Sequence, residues 1–119
     1  MHFENKIGGI YKITHLPSEQ YYIGMSVSIF TRWQSHFTNL SNKTHSSTKF
    51  LDLWSITNPN EWTWQIIEVL SITDFKEKTN LKGKSLQTAF RKHLLLLERN
   101  WMSKHSRTYC LNKDDKYFS

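Results

Sequence analysis

Two short segments rich in Ile and Tyr, 7–14 (IGGIYKIT) and 21–25 (YYIGM), flank the stretch His15-Leu16-Pro17-Ser18-Glu19. β-branched and aromatic residues suit a pleated surface, and a short Pro- and Ser-containing link is turn chemistry, so the pair reads as a β-hairpin. A hairpin alone is barely stable in water and needs further strands or helices against its apolar face. The rest of the chain must supply that cover.

Beyond Met25 the apolar period changes to that of a helix. Phe30, Trp33, Phe37 and Leu40 follow i, i+3, i+7 and i+10, which predicts a buried stripe, with Ser28 as N-cap. His45 to Lys49 is polar and reads as a connection. Phe50, Leu51, Leu53, Trp54 and Ile56 suggest a shorter second helix that ends before Asn58-Pro59. Residues 61–70 (EWTWQIIEVL) read as a third strand, with Trp62, Trp64, Ile66 and Glu68 on one face. Residues 74–85 (DFKEKTNLKGKS) read as a basic loop. A long helix from about Leu86 to about Lys104 then carries Phe90, Leu94, Leu97 and Trp101 on one side. The order β-β-α-α-β-α predicts an α+β fold: a small three-stranded antiparallel sheet flanked by helices.

The chain has 119 residues, room for a single domain, 1–119. Its seventeen aromatics are enough for a compact core. The longest aliphatic run, Leu94–Leu97, is far too short to span a membrane, and the N-terminus lacks a signal-peptide stretch. A lone Cys110 cannot form an internal disulfide, so an intracellular location is expected. Charge is unevenly placed. Residues 1–73 are neutral, with five Lys/Arg and five Asp/Glu, whereas residues 74–113 hold ten Lys/Arg against Asp74, Glu77 and Glu98. One-sided positive charge points to a polyanion, nucleic acid first.

Single residues say less. Arg32 and His36 are four apart and share a helix face, away from Trp33 and Phe37; alone they read as surface decoration. Glu98 follows four leucines on an apolar helix, where a carboxylate needs a partner, a proton or a metal. Zinc-type His/Cys spacing and the common nucleotide-binding glycine loops are absent from the sequence.

Together these residues form a recognisable set. Gly9-Ile10-Tyr11, ten residues, Tyr22-Ile23-Gly24, then Arg32 and His36, a late helical Glu98 and a closing Asn112 resemble the GIY-YIG nuclease family. Arg32-Trp33, His36 and His45-Ser46-Ser47 look most like the catalytic domain of phage intron-encoded homing endonucleases. The likeness runs over about residues 7–113. Two departures stand out: Met25 where relatives often carry a small polar residue, and the Lys-rich stretch at about 74–85, which looks like an insertion. Glu68 competes with Glu98 for the family's carboxylate. Glu98 is preferred because Glu98-x-x-Trp101-Met102 matches the helical pattern of relatives.

The resemblance implies a DNA endonuclease using one Mg²⁺ (or Mn²⁺) per site. A lone carboxylate suits one such ion, completed by water and substrate oxygens, better than a two-metal site. Glu98 is then the metal ligand and Arg32 the stabiliser of charge on the phosphate. Tyr11 is implied as general base, with help from His36, and Tyr22 orients water or phosphate. His45 and Asn112 are expected on the substrate side, Asn112 buttressing the site by hydrogen bonds. Lys76, Lys78, Lys82 and Lys84 are expected to grip DNA phosphates. Target choice would rest on the domain itself, a homo-oligomer or an accessory DNA-targeting protein.

Overall fold

The computed structural model describes residues 7–112. The hairpin forms as anticipated: β1 (Gly8–His15) and β2 (Gln20–Ser26) pair antiparallel, with Tyr11 opposite Gly24 and Ile13 opposite Tyr22. β3 (Trp62–Leu70) adds to the other side of β1, giving the antiparallel order β2-β1-β3. The most buried strand is therefore central. Its alternation divides the core, because successive side chains leave opposite faces. Tyr11 and Ile13 pack with Ile29, Leu40, Phe50, Trp54 and Trp62 on one side. Ile10 packs with Tyr21, Ile23, Phe90, Leu94 and Met102 on the other.

Helices α1 (Ile29–Ser41) and α2 (Thr48–Ser55) supply residues to the first face. Helix α4 (Gly83–Ser103) covers the second. Ser47 caps α2 by accepting from the Phe50 N–H, so the helix begins two residues before its first apolar position. Ser28 stands at the start of α1, but its hydroxyl donates to Thr31 Oγ1 at 3.0 Å and makes no cap bond.

Three expectations are corrected. The stripe expected to be buried on α1 is turned outward at two positions: Phe30 and Phe37 are 54% and 48% exposed, while Ile29, His36 and Leu40 are buried. Phe30 and Phe37 instead lie edge-on against Trp33 and Trp54, at the rim of the core. The expected 74–85 loop contains a helix, α3 (Ile72–Thr79), and α4 begins at Gly83 rather than Leu86. Ser71 caps α3 through the Asp74 N–H, Asn80 ends it in a left-handed conformation, and Phe75 anchors it on Phe90 and His93.

The third concerns Glu68. The register on β3 shifts between Tyr11, opposite Ile66, and Ile10, opposite Glu68, so Ile67 is an extra residue. This bulge turns Glu68 away from the face of Trp62, Trp64 and Ile66. It also requires Gly9, whose φ is 143° and whose Cβ would meet the Glu68 carbonyl oxygen at 1.9 Å. Among the described residues no helix is long and apolar enough to cross a membrane.

Candidate active site

The centre of the site is the Tyr11 phenol, 1% exposed on the central strand. Its oxygen lies 2.7 Å from His36 Nε2, and His36 Nδ1 lies 2.7 Å from His45 Nε2. His45 Nδ1 accepts from the Ser47 backbone N–H at 3.0 Å. Three elements thus meet in one hydrogen-bonded row: β1, α1, and the start of α2 with its lead-in. The burial of His36, a polar residue on an inward helix face, follows from this pairing of both ring nitrogens.

Tyr22 of β2 completes an aromatic wall. Its ring is 6.5 Å from Tyr11 in a stacked arrangement and 4.9 Å edge-on from His36. Arg32, one helical turn before His36, interacts with both phenols by charge and by hydrogen bonding. Glu98 lies on α4 between the fully buried Leu94 and Met102, each one turn away, and is itself half-buried. Its charge acts on both Tyr11 and Tyr22. Five residues from four elements therefore converge.

The electrostatics divide them into charged and neutral members. Burial raises the Tyr11 pKa well above that of a free phenol, and the Tyr22 pKa also rises chiefly by burial; in both, the Arg32 charge opposes the rise and Glu98 adds to it. Burial, followed by the Arg32 charge and the adjoining His45 imidazole, pushes His36 down to about 3. His45 is lowered for the first two reasons. Burial works against the Arg32 charge, but the two phenols outweigh it and hold its pKa above the ordinary value. The histidine pair is neutral and Arg32 is the permanent cation.

Among the described residues, no group of three or more His, Cys, Asp or Glu could hold a metal. His36 and His45 commit both ring nitrogens to other partners. The oxygen donors of the cluster are the Glu98 carboxylate and the two phenols. That set fits a hard cation such as Mg²⁺, which binds through one or two carboxylates with water and phosphate oxygens. It does not fit zinc, which asks for three or four protein ligands.

Three further residues have their polar atoms engaged within the protein. His45 is 7% exposed and faces His36 and Ser47, with no nitrogen left for substrate. Asn112 is buried, and its amide accepts from the Ile23 N–H at 3.0 Å and donates to the Ile23 carbonyl at 2.7 Å. It buttresses β2 between Tyr22 and Gly24, and its polar atoms are taken up in doing so. Ser47 carried no assigned role in the sequence reading. It orients His45 through its amide, while its hydroxyl donates to the Leu111 carbonyl. Only its place in His45-Ser46-Ser47 could have drawn notice.

Glu68 is accounted for elsewhere. Its carboxylate accepts from Trp101 Nε1 at 2.7 Å, and it is paired across the sheet with Ile10 rather than Tyr11. Lys76 and Lys78 on α3 and Lys82 and Lys84 around the start of α4 are all exposed. Lys84 and Glu98 are both on α4, about 21 Å apart along its axis at 1.5 Å per residue. Lys84 therefore lies outside the Tyr11 cluster.

Comparisons with known proteins bear on the fold and the family. No curated protein matches the chain in sequence. Among solved structures, a mutant catalytic domain of intron endonuclease I-TevI superposes with a TM-score of 0.68 at 22% identity, covering 95% of this chain and 99% of that one. A second structure, of the catalytic domain of homing endonuclease I-TevI, gives 0.66 at 22% identity over 91% and 99%. At that identity the likeness is one of fold. The family model for the GIY-YIG catalytic domain, however, matches residues 7–110, the strands, the Tyr11 cluster and Glu98 included, and so the chain belongs to the GIY-YIG family of nuclease catalytic domains.

Proposed function

We propose that this domain hydrolyses DNA phosphodiesters with one divalent cation, Mg²⁺ or Mn²⁺, held at Glu98. The observation that carries the reading is the convergence of Tyr22, Arg32 and Glu98 on the Tyr11 phenol, with His36 bonded to its oxygen. A cation at Glu98 supplies Lewis acidity toward the phosphate and its leaving oxygen. Everything else falls to the chain's own groups.

Arg32 places a fixed positive charge beside the phenols, where charge develops on the non-bridging oxygens during attack. A guanidinium cannot lose that charge at working pH. Tyr11 Oη accepts the proton of the attacking water. Burial opposes the anionic form this requires, and the Arg32 charge favours it. The phenol's own proton leaves to solvent on the exposed Arg32 side of the site. Tyr22 orients water or phosphate from β2. Lys76, Lys78, Lys82 and Lys84 give phosphate contacts away from the cut, with little sequence preference.

The test is cleavage of duplex DNA with Mg²⁺ or Mn²⁺ against EDTA, run in parallel on Tyr11→Phe. Cation-dependent cleavage that disappears in Tyr11→Phe supports the reading. DNA binding without cleavage under either cation would make the domain a binding module that keeps a nuclease fold.

A further inference from the structure

The row Tyr11–His36–His45–Ser47 has a direction, set at one end by a group that cannot reverse. A backbone N–H is only ever a donor. Since the Ser47 N–H donates to His45 Nδ1, that nitrogen carries no proton. A neutral imidazole has one N–H, so the His45 proton is on Nε2 and is donated to His36 Nδ1. His36 Nδ1 is then bare, its proton is on Nε2, and Nε2 donates to the Tyr11 oxygen.

We infer that His45 is a positioning residue: through it the Ser47 amide fixes His36 as an N–H donor to Tyr11 Oη. The hydroxyl proton of Tyr11 and the remaining lone pair of its oxygen are thereby directed away from the histidines and toward the open side of the site. His36 does not take the phenol's proton, because the nitrogen facing Tyr11 already carries one. The same polarity keeps His36 neutral. A second proton could enter only at Nδ1, where it would face the Nε2–H of His45.

The catalytic consequence rests on the nuclease reading, with Tyr11 as proton acceptor. A donated N–H strengthens as charge grows on the phenol oxygen, and such charge-assisted bonds are about twice as strong as neutral ones. His45 and Ser47 touch neither water nor phosphate in this account. They act by deciding which way His36 points its proton.

Imidazole ¹⁵N NMR on the ¹⁵N-labelled full chain reads the tautomers without reference to activity. Both His36 and His45 are expected as neutral Nε2–H forms from pH 5 to 8. His36 found as the Nδ1–H form, or as an imidazolium at pH 6, overturns the inference. Two variants extend the test. His45→Ala removes the donor to His36, and a mixture of His36 tautomers should appear. The single-turnover cleavage rate should fall about 10- to 100-fold at unchanged DNA affinity. His45→Gln keeps an N–H donor near the position of Nε2 and should recover part of that rate. A His45→Ala protein with unaltered His36 tautomer and wild-type rate overturns the positioning role. Failure of the nuclease reading itself looks different: the wild-type tautomers as inferred, and no cleavage with either cation.

Discussion

Gly24 lies directly beneath the Tyr11 hydroxyl: a Cβ built on it would stand 2.3 Å from the phenol oxygen and 2.4 Å from the ring carbon that bears it. Tyr11 reaches across its neighbouring strand, and only a residue without a side chain leaves room. Gly24→Ala must therefore displace the phenol from His36 or shift β2. Overpacking of this kind costs about 1–3 kcal/mol. A displacement of the order of 1 Å at a reacting group costs about 10²-fold in rate. Urea unfolding and single-turnover cleavage measure the two effects separately. A Gly24→Ala protein that cuts DNA at the normal rate would remove Tyr11 from the centre of the site.

The two candidate carboxylates are expected to respond oppositely. If Glu98 holds the cation as proposed, Glu98→Gln should abolish cation-dependent cleavage and leave DNA binding intact, because the charged carboxylate of the cluster is lost. Glu68→Ala should keep cleavage and lower stability by about 1–3 kcal/mol, the usual cost of leaving a buried donor unsatisfied, since Trp101 Nε1 loses its acceptor. Wild-type turnover in Glu98→Gln, or loss of turnover in Glu68→Ala, would exchange their roles.

Much of this was legible in the chain, and the misses have physical causes. The hairpin, the third strand and α4 carry strong periodic patterns, and the motifs placed Tyr11, Tyr22, Arg32, His36 and Glu98 in one group. The inward face of α1 was misread because aromatic bulk marks a core in a period-based reading. The buried residue at its centre is His36, made tolerable there by Tyr11, twenty-five residues away, and by His45. No local pattern reports a partner at that separation. α3 hid because one apolar residue, Phe75, anchors it among lysines. Glu68 was assigned to the wrong face because alternation cannot register the extra residue of a bulge. The resemblance suggests His45 as a substrate contact and Asn112 as a hydrogen-bonding buttress on the substrate side. Asn112 does brace β2 at Ile23, whereas His45 is turned onto His36 and Ser47.

Arg32→Ala should raise the barrier to cleavage by about 3–5 kcal/mol, the scale of removing one or two preorganised donors from a developing anion. Stability should change little, since the side chain is solvent-exposed. Arg32→Lys should restore charge but only part of the rate, because an ammonium lacks the planar fork that can meet two oxygens at once. The comparison is of single-turnover rates at saturating DNA; full activity in Arg32→Ala would exclude it from the transition state.

His36 makes stability depend on pH. Its folded pKa is about 3 against 6.5 for a free histidine, so below pH 6.5 the unfolded chain binds a proton that the folded chain refuses. Stability is full above that pH and falls as pH drops toward about 3, by up to about 1.4 kcal/mol per pH unit. His45, also lowered, acts in the same sense. Denaturant midpoints between pH 5 and 7 should slope less in His36→Gln than in the wild type. Equal slopes would mean that His36 titrates normally in the folded protein.

The lysines of α3 and early α4 make a prediction about affinity alone. Lys84 sits about 21 Å along the α4 axis from Glu98, which is roughly six base pairs of duplex at 3.4 Å each. Substitution of Lys76, Lys78, Lys82 and Lys84 by Ala should therefore weaken binding without touching the chemistry. The slope of log K against log salt should become shallower by about 0.9 for each DNA phosphate that is no longer neutralised, and cleavage at saturating DNA should be nearly unchanged. Their placement on a capped helix and a helix start, rather than on a long loop, narrows the expectation: fixed backbones present the ammonium groups on an ordered surface. The weakening should then appear as a shortened footprint on one side of the cut, not as a uniform effect along the duplex. An unchanged salt slope in the quadruple variant would leave these residues as solvated surface and move the DNA-binding face to the hairpin and α1.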